Sequence, residues 1–147
     1  MKERFETFTV LIAKISRNIR KIKNQEMAEY NLRSPHISCL YYLYLSEGLT
    51  ATELCEKCEE DKATISRSLD FLEKNGFLTC QPKSVKRYKS PVLLTEKGKE
   101  AGRKITDKIA RVLDEVSTGL SEEERVEFYR CLSLISENLE IISSGDN

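Results

Sequence analysis

Between positions 62 and 70 the chain carries Lys62, Thr64, Ser66, Arg67 and Asp70, a set of cations, hydroxyls and one carboxylate at helical spacing. Short hydroxyls hydrogen-bond base edges and phosphates, and a guanidinium can address guanine O6 and N7 in bidentate fashion. Lys83, Lys86, Arg87 and Lys89 follow with no acid among them. Such a run can neutralise backbone phosphates or place an arginine in a narrow minor groove. A basic run alone is more often a solvated turn. Its position directly after a polar helix face gives it weight, because one face of a duplex must meet both together.

Other residues offer rival chemistry. Cys55 and Cys58 form a C-x-x-C, a candidate redox pair, yet Ala51, Leu54, Cys55 and Cys58 fall at i, i+3, i+4 and i+7. Both sulfurs therefore share an apolar helix face, where thiols behave as small hydrophobes. The five cysteines are odd in number and irregularly spaced, which favours free thiols over a disulfide framework. A tetrahedral zinc site needs further ligands, and the single histidine, His36, has none at ligand spacing, so no metal is expected. His36 and Tyr41, beside Tyr42 and Tyr44, are candidates for lining a ligand pocket; the plainer reading is a partly exposed histidine and core tyrosines. No G-x-S-x-G, phosphate-binding glycine loop or H-E-x-x-H occurs, so no catalytic residue, cofactor or enzyme activity is expected.

The elements that must hold these residues are legible from periodicity. Phe5, Phe8, Ile12, Ile15, Ile19 and Ile22 predict one stripe of a helix over about 4–29. Ser34-Pro35 predicts the start of a second helix, with Ser34 as its cap. Thr50-Ala-Thr-Glu53 is a capping box opening a short helix to about Cys58. Glu59-Glu60-Asp61 reads as a connection into a helix over 62–75, closed by Gly76. In that helix Ile65, Leu69 and Leu72 define the buried side. Segments 77–81 and 91–94 read as strands of a hairpin around a polar loop. Thr95 caps the next helix, and Ser121-Glu-Glu-Glu124 opens the last, with Phe128, Leu132, Ile135, Leu139 and Ile142 on one side. A short capped helix, a brief turn and a second amphipathic helix make a helix-turn-helix.

The net charge is zero, but residues 1–61, 62–104 and 105–147 carry −1, +7 and −6. This internal dipole points the middle segment at a polyanion. The longest apolar run, Cys39 to Leu45, is seven residues long, against about 20 for a membrane span. With no signal peptide at the amino terminus, a cytoplasmic protein without a membrane partner is expected.

Thr52-Glu-Leu54, the run from Lys62 to Leu78, the basic wing and Leu94-Thr-Glu-Lys-Gly98 together resemble the MarR family of bacterial and archaeal regulators. The likeness extends over nearly the whole chain. It implies a mostly α fold with a small β-hairpin: a winged helix-turn-helix at about 34–98 within a single 1–147 chain, and dimerisation helices at about 1–30 and 105–147. It further implies a homodimeric regulator, a repressor by expectation, on a pseudo-palindromic operator in double-stranded DNA, modulated by a small-molecule effector or by oxidation. Thr64, Ser66 and Arg67 match the family's reading-helix contacts, and Arg87 the wing-tip arginine. Family wings commonly hold an aspartate just before that arginine, where this chain has Lys86. Independently of the likeness, the terminal apolar stripes are too long for one reading head to cover. Lys97, Lys99, Arg103 and Lys104 form a further basic flank expected to meet phosphate. Rival classes are a winged-helix protein-interaction module without DNA binding, and a cysteine-based redox or metal sensor of the same fold.

Overall fold

In a computed structural model the structure describes residues 2–80 and 89–145. Helix α1 (Lys2–Phe5) widens into a π-helical segment, Glu6–Leu11, and continues as α2 (Ile12–Glu26). Periodicity alone predicts an unbroken helix here. Hydroxyls explain the difference: Thr7 and Thr9 donate to the carbonyls of Glu3 and Phe5, at 2.9 and 2.6 Å. Threonine back-bonding of this kind competes for the carbonyls of a regular turn. The helix also ends earlier than expected, at Glu26, and a 3₁₀ turn, Ala28–Tyr30, leads to Asn31 in the left-handed conformation.

Helix α3 (Ser34–Leu45) begins at Ser34, the expected cap, one residue earlier than predicted. Arg33 stands at the cap and its N–H donates to Nδ1 of His36 at 3.0 Å, while the Ser34 N–H donates to Oδ1 of Asn24 at 2.8 Å. Helix α4 (Ala51–Cys58) is capped by Thr50, whose hydroxyl accepts from the Glu53 N–H. Helix α5 (Lys62–Lys74) is capped by Asp61, which sequence reading assigns to the connection; its carboxylate accepts from the Thr64 N–H at 2.7 Å. Glu59, in the turn between α4 and α5, has φ +53°, a conformation that costs a residue with a Cβ about 1 kcal/mol or more.

Strands β1 (Leu78–Thr79) and β2 (Leu93–Leu94) pair antiparallel, Leu78 opposite Leu94 and Thr79 opposite Leu93. Both are shorter than expected. Val92 lies outside the ladder, buried, with its N–H donating to the Leu49 carbonyl. Helix α6 (Glu96–Val116) and helix α7 (Glu122–Ser144) complete the chain.

Two compact units emerge, Met1–Ile109 and Ala110–Asn147. The first holds one hydrophobic core. Leu40, Leu54, Ile65, Leu69 and Leu72 are fully buried, joined by Met27, Phe77, Leu78 and Ile105. Full burial of each such side chain is worth about 1.5–3 kcal/mol before chain entropy is counted. The second unit contains the end of α6 and all of α7, whose start is closed by Ser121 and Glu124 in a reciprocal capping box. No residue of α7 is buried.

Candidate nucleic-acid interface

Three buried aliphatic side chains fix the attitude of α5. Ile65, Leu69 and Leu72 lie in the core, so helical geometry turns Lys62, Arg67 and Asp70 outward, with Thr64 and Ser66 half-exposed beside them. Ser68, also buried, donates its hydroxyl to the Thr64 carbonyl at 2.8 Å and is not part of the outer face. At the helix start Arg67 donates to the Thr64 hydroxyl at 3.3 Å. The Asp61 carboxyl is held below its usual range, first by the Thr64 N–H and then by the Thr64 hydroxyl and the Arg67 guanidinium. Asp61, Thr64 and Arg67 thus form one polar cluster at the tip of α5, where unpaired helix amides add a positive dipole. Of the expected wing residues, Lys89 is exposed. Lys83, Lys86 and Arg87 lie outside the described residues.

The far end of α5 is fastened by the Leu94-Thr-Glu-Lys-Gly98 segment. Thr95 donates its hydroxyl to the Gly76 carbonyl at 2.6 Å and accepts from the Gly98 N–H, so it caps α6 and grips the end of α5 together. Lys97 donates to the Asn75 carbonyl at 2.7 Å, with its ammonium 4.4 Å from the Phe77 ring centre. A Cβ at position 98 would lie 1.9 Å from the Phe77 carbonyl oxygen, so only glycine permits this approach. At position 102 a Cβ would meet Tyr44 Cβ at 2.6 Å.

The basic flank of α6 is drawn into similar internal ties. Arg103 pairs with Glu100 and Asp107, Lys104 donates to the Tyr30 hydroxyl, and Lys99 lies 3.5 Å from Glu96. Phosphates would have to compete with these partners, a competition invisible in the charges alone.

His36 is stacked on Phe71, ring centres 4.3 Å apart, and its pKa is lowered by burial and then by Arg33. Tyr41 is half-buried against Tyr42. Neither lines the cavity of about 370 Å³ bounded by Leu43, Tyr44, Glu47, Gly48, Val92, Leu93, Leu94 and Lys99. Among the described residues no group of three or more His, Cys, Asp and Glu could hold a metal ion. Nor, among them, is any helix long and apolar enough to cross a membrane.

Cys55 and Cys58 pack against the core, as their spacing implies. The partner of Cys58 is nevertheless Cys39, on α3: the Cys39 thiol donates to the Cys58 sulfur, which favours the Cys58 thiolate and pushes the Cys39 pKa up. The Lys23 ammonium adds to the stabilisation of the Cys58 anion. Burial instead raises the Cys55 pKa.

The family model described as MarR family matches residues 32–89, the segment that contains α3, α4, α5 and β1. Over that segment this chain is similar to the MarR family. Two solved structures share its winged-helix fold. A MarR family regulator from Neisseria meningitidis is 21% identical, with 98% of this chain and 99% of that one covered at TM-score 0.80. The S. aureus MepR–DNA complex is also 21% identical, with 90% of this chain and 97% of that one covered at TM-score 0.80. A sequence relative from Bacillus subtilis (strain 168), the HTH-type transcriptional regulator YybA, is 24% identical over 129 residues, 88% of this chain and 86% of its own length.

Proposed function

We propose that this chain is a homodimeric, sequence-specific DNA-binding regulator of transcription of the MarR type, acting as a repressor on a pseudo-palindromic operator and modulated by a small ligand or by oxidation. The observation that carries the reading is the outward polar face of α5, with Lys62, Thr64, Ser66, Arg67 and Asp70 opposite a buried Ile65, Leu69 and Leu72. Likeness of fold to the MepR–DNA complex supports it. Arg67 and the short hydroxyls select sequence in the major groove, while Lys83, Lys86, Arg87 and Lys89 hold the backbone beside it. Two copies are needed to read two half-sites one DNA turn apart. The exposed apolar stripes at Phe5, Phe8, Ile15 and Ile19, and separately at Phe128, Leu132 and Leu139, supply surface for that pairing. Bound across the start of a gene, such a dimer denies the same duplex to polymerase.

Fluorescence anisotropy on genomic fragments tests the reading. Arg67→Ala should cost about 1–3 kcal/mol on the preferred fragment and flatten base preference at one position. Equal weakening on every sequence removes Arg67 from readout. Arg87→Ala should reduce the slope of log affinity against log salt by roughly one unit for each phosphate the arginine neutralises. An unchanged slope takes Arg87 off the backbone.

A further inference from the structure

Arg67 is held differently from the paired arginines of α6 and α7. Arg103, Arg125 and Arg130 each pair with a carboxylate on their own helix. Among the described residues Arg67 makes no such ion pair, and its hydrogen bond runs to a neutral oxygen, Oγ1 of Thr64, at 3.3 Å. Its direction is held while its charge stays available to a ligand. Thr64 is in turn fixed at three points. Its N–H donates to the Asp61 carboxylate at 2.7 Å, its carbonyl accepts from the buried Ser68 hydroxyl at 2.8 Å, and its hydroxyl proton also goes to Asp61. With that proton committed, the lone pairs of the hydroxyl face Arg67, and no proton is left to donate to a base. Ser66, half-exposed on the same face, makes no side-chain hydrogen bond among the described residues and keeps its hydroxyl for a ligand.

We propose that Thr64 is a positioning residue for Arg67, itself set by Asp61, and that it governs which base Arg67 reads without touching a base. This rests on the DNA-binding reading and deepens it by dividing the polar face of α5 into a reader and its support. Asp61, Thr64 and Arg67 step by three, which puts each beside the next on the helix surface. A guanidinium carries five N–H groups, so one spent on Thr64 still leaves a two-N–H edge for O6 and N7 of a guanine. A long side chain loses rotamer freedom when it binds, and fixing it beforehand removes part of that cost. A carboxylate partner would do the same but would cancel the charge. A neutral hydroxyl, made into an acceptor by Asp61, orients the guanidinium and leaves the duplex a full cation.

Thr64→Val removes the hydroxyl and keeps the shape, whereas Thr64→Ser keeps the hydroxyl. In the free full chain, nitrogen-15 relaxation at the Arg67 Nε–H should find that bond rigid in the parent and in Thr64→Ser, and mobile on the ps–ns scale in Thr64→Val. Asp61→Ser should be mobile too, since its single oxygen can cap α5 but cannot also take the Thr64 hydroxyl. On the preferred DNA fragment with each base pair changed in turn, Thr64→Val should weaken binding by about threefold to tenfold, the ordering cost of one long side chain. It should flatten preference at the same base pair as Arg67→Ala, and Thr64→Ser should match the parent. In the Arg67→Ala background, Thr64→Val should add less than about twofold, because the two residues act as one unit. Preference lost at a different base pair, or a loss that adds in full to that of Arg67→Ala, overturns the proposal and makes Thr64 a base reader. An Arg67 Nε–H equally mobile in the parent and in Thr64→Val overturns it as well. A parent that prefers no fragment over random duplex counts against the regulator reading instead, and relaxation in the free chain then still decides whether Thr64 holds Arg67.

Discussion

In the reading head Leu54, Ile65, Leu69 and Leu72 have no exposed surface, whereas along α7 no residue is buried and Phe128, Leu132, Leu139 and Ile142 are 41–63% exposed. Both regions are patterned at the same helical period, so patterning does not distinguish them. The difference lies in what surrounds each stripe. The head packs α3, α4 and α5 around a shared centre, and its apolar side chains are satisfied within one chain. On the dimer reading, those of the terminal helices are satisfied only by a second copy. Damage to the head should then appear as loss of folding, and damage to a terminal stripe as loss of association.

Leu69→Ala is the harshest way to probe this contrast. It empties space in the centre of the head and should cost about 2–5 kcal/mol in urea unfolding. A cost below about 1 kcal/mol would mean the head is looser than its burial implies. Ile142→Glu on α7, and separately Ile15→Glu on α2, should each raise the dimer dissociation constant by about tenfold or more, roughly 1.4 kcal/mol, in analytical ultracentrifugation. Far-ultraviolet dichroism of the head helices should stay intact. If either variant unfolds the chain without changing its association, that stripe belongs to the chain's own core. The mildest change is Glu59→Gly, which relieves the left-handed turn between α4 and α5. It should stabilise thermal unfolding by at most about 1 kcal/mol, since glycine also loosens the unfolded chain. Destabilisation would reveal a role for the Glu59 side chain.

Helix order, the buried face of α5 and three of the caps were legible because they rest on local rules: Thr50, Thr95 and Ser121 each sit where a hydroxyl can reach an amide three residues on. Misreadings arose where another group took the expected role. His36 occupies the position a glutamate would fill and accepts from Arg33, which moves the start of α3. Asp61 reads as one more acid in a connection until its oxygen is seen on the Thr64 N–H. The partner of Cys58 could not be found from spacing along the chain, because Cys39 approaches it from another helix. Nor could the internal ties of Arg103 and Lys104, since a flank of cations says nothing about which carboxylate or hydroxyl folds against it.

The glycine at position 98 lets the carbonyl of Phe77 press against the start of α6, and Thr95 and Lys97 grip the neighbouring carbonyls. The joint therefore behaves as a welded elbow rather than a hinge. Helix α5 has 13 residues, about 20 Å of rigid rod at 1.5 Å per residue. A tilt of about 10° at the elbow would carry its far tip roughly 3.4 Å, one base-pair step along a duplex. On the DNA-binding reading, a slight change of angle where α6 departs would be enough to shift Thr64, near that tip, by most of a base-pair step.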